Sequence, residues 1–220
     1  MEILSCFFLI LVLSSFHHFI IAFSDTTNGD QSALLAFKSQ INLDPSHVLS
    51  TNWSTTSPTC NWIGITCDAN TTRVTSLNLT NMNLSGTLPP QLGNLTSLLN
   101  LDLHNNSFHG IVPKELAMLP KLRVLNLCTN NFGGDFPTWI GELSELQSLS
   151  ICNNSFSGSI PNSISNLSKL ESLNVSFNLI HGSIPPELGR LHNLSVLDLS
   201  HNKFSGKIPS SIFNNISTIQ

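Results

Sequence analysis

One phrase of 24 residues is written five times, without insertion or deletion, from Leu95 to Asn214. The copies begin at Leu95, Leu119, Leu143, Leu167 and Leu191, and a looser copy, Thr71 to Asn94, keeps the same register. A fixed period of this size restricts the chain to stacked architectures. Each copy is one supersecondary unit that cannot cover its own apolar side, so neighbours must bury it.

Each column of the phrase has a physical task. Leu77, Leu101, Leu125, Leu149, Leu173 and Leu197 hold one position; Leu79, Leu103, Leu127, Ile151, Val175 and Leu199 hold the position two further on. This alternation predicts a short strand whose leucines point inward and whose intervening residues point outward. In-register strands spaced about 4.8 Å apart then build a parallel sheet along one face. Asn106, Asn130, Asn154, Asn178 and Asn202 follow the strands, with Met82 breaking the column in the first copy. An amide carries both donor and acceptor, so a buried Asn column can bond the turns of its own coil and of the neighbouring coil. Phe108, Phe132, Phe156 and Phe204 form a third column, with Leu84 and Ile180 as smaller members. Behind it run the glycines Gly86, Gly110, Gly134, Gly158, Gly182 and Gly206, then prolines from Pro89 to Pro209. The G-x-I-P phrase reads as a second extended segment, and the L-G-N or L-G-R phrase after it as a helical turn on the convex side.

The wording L-x-x-L-x-L-x-x-N-x-F/L-x-G-x-I/V/L-P is that of a leucine-rich repeat. Its L-x-G-x-I-P-x-x-L-G form resembles the plant-specific class found in receptor-like kinases, receptor-like proteins and polygalacturonase-inhibiting proteins. The fold expected is an α/β solenoid: a right-handed superhelix with a parallel sheet on the concave face and a helical, disulfide-bonded amino-terminal cap. The stretch Asp30-Gln31-Ser32-Ala33-Leu34-Leu35-Ala36-Phe37-Lys38 resembles the amino-terminal cap of plant leucine-rich-repeat receptors, most of all the long-ectodomain immune receptors such as the flagellin receptor's subfamily. Asp30 is expected to cap a helix with Leu34, Leu35, Phe37 and Ile41 on its apolar face, ending near Asp44-Pro45 and covering the first coil together with Trp53. Cys60 and Cys67 form the cap's C-x6-C, which in a secreted chain reads as a disulfide, since no further soft ligands for a metal lie nearby. Trp62 is expected to pack over it.

The expected divisions are a secretory signal peptide over residues 1–24, the cap over 25–70, six repeats over 71–214 and the start of a truncated seventh over 215–220. Residues 3–23 are apolar apart from a few Ser, Cys6 and the pair His17 and His18, with a short h-region from Phe7 to Leu13 and Ala22 and Ser24 placed for a cut after Ser24; Glu2 and the lack of Lys or Arg speak for the rival, an uncleaved signal anchor. No other stretch has the roughly 20 apolar residues of a membrane span. The phrase restarts at Ile216 and Ile219 without a closing cap, which reads as a truncated receptor whose last coil frays.

Function is bounded by what is missing. With 10% charged residues and a formal charge of -4, no basic footprint for nucleic acid exists. No phosphate-binding loop, G-x-S-x-G, H-E-x-x-H or metal-spaced His/Cys cluster occurs, so neither an enzyme nor a cofactor is expected. Asp102 and Asp198 share an outward column, but four coils put them roughly 19 Å apart, too far for paired-carboxylate catalysis. Cys128 and Cys152 occupy one outward column of adjacent coils. Parallel Cβ vectors favour two free thiols there over a disulfide. Sequons stand at Asn52, Asn70, Asn78, Asn83, Asn94, Asn105, Asn153, Asn166, Asn174, Asn193 and Asn215, as in an extracellular glycoprotein.

What remains is recognition by the outward residues: Ser76, Asn78 and Thr80 in the first coil, then Asn100, Asp102, His104, Val124, Asn126, Cys128, Ser148, Ser150, Cys152, Ser172, Asn174, Ser176, Val196, Asp198 and Ser200. The resemblance implies an extracellular peptide or protein ligand, such as a microbial elicitor, and a leucine-rich-repeat co-receptor. It places the chain outside the plasma membrane as the amino-terminal part of a receptor, in defence or development. The alternative is a stand-alone protein secreted to the cell wall: a hydrolase inhibitor, a co-receptor-like scaffold or a decoy. Inhibitors tend to carry more cap cysteines than the single pair here.

Overall fold

Helix α1 runs through residues 29–39 of the computed structural model, which describes residues 29–214 and 218–219. The signal segment, the polar leader to Asn28 and the sequon at Asn215 lie outside the described residues. After α1 come β1 (Ile41–Leu43), α2 (Val48–Asn52) and β2 (Ile65–Cys67). Each coil then contributes two short strands: β3 (Val74–Asn78) and β4 (Ser85–Gly86), β5 (Asn100–Asp102) and β6 (Ser107–Gly110), β7 (Val124–Asn126) and β8 (Asn131–Asp135). They continue as β9 (Ser148–Ser150) and β10 (Ser155–Ser157), β11 (Ser172–Asn174) and β12 (His181–Ser183), β13 (Val196–Asp198) and β14 (Lys203–Ser205), and β15 (Thr218–Ile219).

The first strand of every coil joins one eight-stranded sheet in the order β15-β13-β11-β9-β7-β5-β3-β2, parallel throughout except that β2 meets β3 antiparallel. Leu77 pairs with Leu101, Leu101 with Leu125, Leu125 with Leu149, Leu149 with Leu173 and Leu173 with Leu197, so the ladder repeats the sequence period. All six leucines are buried. The opposite side of each coil carries a 3-10 turn, as at Lys114–Met118 and Asn162–Asn166, in keeping with the helical turn expected there.

The second strand of each coil begins before the G-x-I-P phrase expected to form it. It runs through S-F-x-G, as in Ser107–Gly110 and Ser155–Ser157, and reaches at most the first two residues of G-x-I-P, as in Asn131–Asp135 and His181–Ser183. The reason is local. Glycines of this column from Gly110 onward take φ of 73–85°, which redirects the chain, and the proline that follows has no N–H to give to a ladder. Gly86 serves a further purpose: β1 pairs antiparallel with β4, and the backbone of Gln40 fills the space a Cβ would need.

One spine of aromatic rings joins cap to coils. Trp62 stacks on Trp53 with centroids 5.2 Å apart, Trp53 lies 6.2 Å from Phe37, and Phe37 lies 5.7 Å from Phe108. Phe132 and Phe156 extend the row at 6.3 and 6.4 Å. All six are buried, a large apolar contribution at roughly 1.5–3 kcal/mol for each side chain of this kind.

Two expectations for the cap need correction. Asp30 does not cap α1, because the helix already includes residue 29. Its buried carboxylate instead takes Arg73 Nε and Nη2 at 2.9 Å each and the Val74 N–H at 2.9 Å, which clamps the cap to the first repeat strand. These bonds hold the Arg73 guanidinium above its ordinary range despite partial burial. The helix also ends earlier than Asp44, whose carboxylate accepts the N–H groups of Val48, Leu49 and Ser50 and so caps α2.

Candidate functional site

The Asn column forms the frame behind the concave sheet. Asn130 Nδ2 donates to Leu103 O at 2.9 Å in the preceding coil and to Leu127 O at 3.2 Å in its own, while Oδ1 accepts Phe108 N at 2.9 Å. Asn106, Asn154, Asn178 and Asn202 repeat the same pattern one coil at a time. Each amide thereby satisfies backbone groups of two coils that would otherwise be buried without partners. Met82 lacks an amide, and its own N–H is taken by Asn106 Oδ1 at 3.2 Å.

The outward residues divide by column. In the middle column, Asn78, Asp102, Asn126, Asn174 and Asp198 each accept with Oδ1 the N–H two residues on, at 3.0–3.2 Å. These are Asx turns that end the strands, so the column has structural work as well as a face to present. Burial works to raise the Asp198 carboxyl; the Ser200 hydroxyl and N–H bonds and the nearby His201 outweigh it and leave it below the ordinary carboxylate range. In the first column, Asn100 Nδ2 donates to Ser76 Oγ at 3.1 Å, Val124, Ser148 and Ser172 are half-buried, and Val196 is exposed.

The third column departs most from expectation. Cys128 and Cys152 are joined in a disulfide, not two thiols. Their Cα atoms lie 4.5 Å apart, inside the span a disulfide can bridge. The fourth coil has Ser150 in place of an Asx, and the Cys152 N–H points at Cys128 Sγ at 2.9 Å instead. Cys128 is 4% exposed and Ser176 3%, so neither presents a side chain to a ligand. His104, by contrast, is half-buried with Nδ1 3.2 Å from Cys128 O. Cys60 and Cys67 are also joined, with Cα atoms 5.6 Å apart.

Among the sequons, Asn70, Asn78, Asn83, Asn94, Asn105, Asn153, Asn166 and Asn193 are exposed, whereas Asn52 and Asn174 are half-buried. Asn52 is engaged, with Oδ1 accepting the Ile63 N–H. Among the described residues no group of three or more His, Cys, Asp or Glu could hold a metal ion, and no helix is long and apolar enough to cross a membrane.

A fourth column went unnoticed in the sequence. Asn81, Asn105, Thr129, Asn153, Phe177 and His201 all take φ of 51–60°, at the turn that leaves the concave sheet. The signal was there to find: Asn tolerates this left-handed conformation, and Phe at that place breaks the column.

The description "Leucine rich repeat N-terminal domain" matches residues 27–68, and leucine-rich-repeat descriptions match 73–95, 97–119, 120–180 and 193–215. One chain of the BIR3–SERK2 complex from Arabidopsis thaliana is 35% identical, with a TM-score of 0.69 over 81% of this chain and 96% of that one. The chain belongs to the plant leucine-rich-repeat receptor family. The LRR receptor-like serine/threonine-protein kinase EFR of Arabidopsis thaliana is 45% identical over 74 residues, which span 34% of this chain and only 7% of that kinase. The Arabidopsis receptor kinase HAESA, in complex with the peptide hormone IDA and the co-receptor SERK1, is 30% identical with a TM-score of 0.62, covering 88% of this chain and 41% of that one. The described residues of this family member form a cap and repeats like those of plant receptor ectodomains.

Proposed function

We propose that this chain is an extracellular recognition module, the amino-terminal part of a receptor-like kinase or receptor-like protein ectodomain that binds a peptide or microbial elicitor in defence or development signalling. One observation carries the reading: six coils present a continuous in-register parallel sheet most of whose outward side chains are Ser, Asn or Asp. A rigid sheet with short side chains leaves room for an extended peptide and spends little entropy on ordering itself. The likeness to HAESA supports a peptide as ligand and a repeat-bearing co-receptor as partner.

A second reading has its own observation. The chain covers 96% of the matched chain in the BIR3–SERK2 complex, so that chain extends little beyond a cap and repeats of this size. That supports a co-receptor-like scaffold or other stand-alone secreted protein.

The test has two parts. After deglycosylation, an immunoblot with an antibody to α1 separates the readings: a large membrane-bound band supports the receptor, and a small extracellular band the secreted scaffold. The full chain, secreted from plant cells and immobilised, is then exposed to the peptide fraction of extracellular fluid, with retained peptides identified by mass spectrometry. Recognition by the concave face predicts peptides held by the wild-type chain and lost on the pair Ser148→Arg and Ser172→Arg. Peptides held equally by both, or none held, would sink it.

A further inference from the structure

The left-handed column changes character between the fourth and fifth coils. Asn81, Asn105, Thr129 and Asn153 are polar; Phe177 is an aromatic ring left 51% exposed at φ 53°. It stacks on His201, its neighbour in the sixth coil, with centroids 3.9 Å apart and planes 9° from parallel. Two residues on, Asn83, Ser107, Asn131 and Ser155 give way to Leu179, which is 44% exposed. Both breaks fall in one coil and on one edge. A bulky side chain held exposed in a disfavoured conformation is a place where function outweighs stability.

The surroundings state what could bind there. Lys203 follows Leu179 in its column and pairs in register with His181. Lys203 and His181 are exposed, and among the described residues the Lys203 ammonium has no carboxylate partner. Residues 177–183 and 199–207 contain Lys203, Lys207, His181 and His201 and no Asp or Glu. Asp198 stands on the concave side, near His201 and bonded to Ser200. The edge is therefore apolar and cationic at once. A symmetric contact of this edge with the same edge of a second copy fits poorly, since like charges would meet.

We propose that the exposed Phe177–His201 pair, with Leu179, His181 and Lys203, is a docking site for an extracellular peptide segment that carries an apolar side chain next to a carboxylate. The apolar residue covers Phe177 and Leu179, and the carboxylate meets Lys203 and the imidazoles. The proposal rests on the peptide-recognition reading above and places a contact on the edge of the sheet in the fifth and sixth coils.

Random dodecapeptides displayed on phage are the probe, selected on the secreted full chain, and enriched sequences are then synthesised and titrated. The expected consensus sets Asp or Glu beside Leu, Ile or Phe. Phe177→Asn and Lys203→Glu each weaken binding about tenfold, the loss of a strong contact. A peptide with its acid changed to Lys regains affinity for Lys203→Glu. Asn suits φ 53°, so the first variant keeps its melting temperature, and His201→Asn gives an independent check. Peptides that bind wild type and both variants alike, but are lost on Ser148→Arg with Ser172→Arg, overturn the site and leave concave recognition standing. Enrichment of nothing on the wild-type chain overturns both. Concentration-dependent dimers abolished by Phe177→Asn would make the occupant a second copy and likewise overturn the proposal.

Discussion

The cap and the repeat array reach stability by opposite routes. In the array every contact is made again one coil later: leucine on leucine, Asn amide on two backbones, ring on ring. In the cap each contact occurs once, between residues far apart in sequence. Asp30 and Arg73 are 43 positions apart, and Trp53 Nε1 donates to Ile63 O. A repeated contact spreads the effect of a defect over neighbours, whereas a singular one concentrates it. The sharpest way to expose this is Asp30→Ala. It leaves the Arg73 guanidinium and the Val74 N–H without their buried partner and is expected to cost about 4 kcal/mol, the scale of breaking a buried ion pair. Proteolysis should then remove α1 before the coils are cut. Simultaneous loss of cap and coils would show that the two form one cooperative unit.

Within the array, Asn130→Ala strips partners from Phe108 N, Leu103 O and Leu127 O, for an expected loss of about 3 kcal/mol. Hydrogen exchange should quicken at the second and third coils while the cap stays protected. Next comes the covalent link in the array. The disulfide between Cys128 and Cys152 closes a longer loop than Cys60–Cys67, with sequence separations of 24 and 7. Replacing both Cys128 and Cys152 by Ser is expected to cost about 2 kcal/mol in chemical unfolding, at the low end for a native disulfide. Alkylation of the unreduced, denatured protein should leave both cysteines unlabelled. Labelling at either would return them to thiols.

Asp44 gives a smaller effect with a definite pH sign. Burial works to raise its carboxyl, and bonds from Ser50, Val48 and Leu49 outweigh this and lower it. The folded state thus binds a proton less readily than the unfolded state. The contribution is complete above the unfolded value of about 3.9 and is lost as pH falls through the lowered folded value. Asp44→Ala should cost about 1 kcal/mol at neutral pH, as loss of a helix cap does, and nothing once the pH lies below the folded value. A difference between the two proteins that persists unchanged in acid would rule out the charge as its source.

The same contrast explains what was legible in the sequence. Period 24 and the L-x-L alternation reveal the sheet, its register and its core, because those features recur. Recurrence could not reveal that Asp30 reaches Arg73, since a single acid before an apolar run looks like a helix cap. Nor did it show that the I-P end of the G-x-I-P phrase lies outside the strands: periodicity fixes spacing but not which residues of the phrase hydrogen-bond. Column membership likewise placed Cys128 and Ser176 outward, and only the structure shows that the disulfide and the Asx turn leave them covered. At the face, the informative residues are the ones that break a column, and Phe177 breaks one whose left-handed backbone is invisible without φ.

That column allows one last comparison, between coils of the array itself. Thr129 and Phe177 hold φ of 57° and 53° in a column that uses Asn at positions 81, 105 and 153. A side chain other than Gly, Asn or Asp costs roughly 1–2 kcal/mol there. Thr129→Asn removes that strain at a half-buried site and should stabilise the chain by about 1 kcal/mol. Phe177→Asn relieves the same strain but gives up the stack on His201, a pair interaction of about 1 kcal/mol, so its net effect should be near zero. Thermal unfolding of the two variants side by side measures the difference directly. A rise in both would mean that the stack contributes little and that Phe177 is retained at a cost to stability, which strengthens its reading as a contact for a partner. A fall with Phe177→Asn and a rise with Thr129→Asn would mean that the ring is held for the fold, and the edge of the fifth coil would lose its claim to be a binding site.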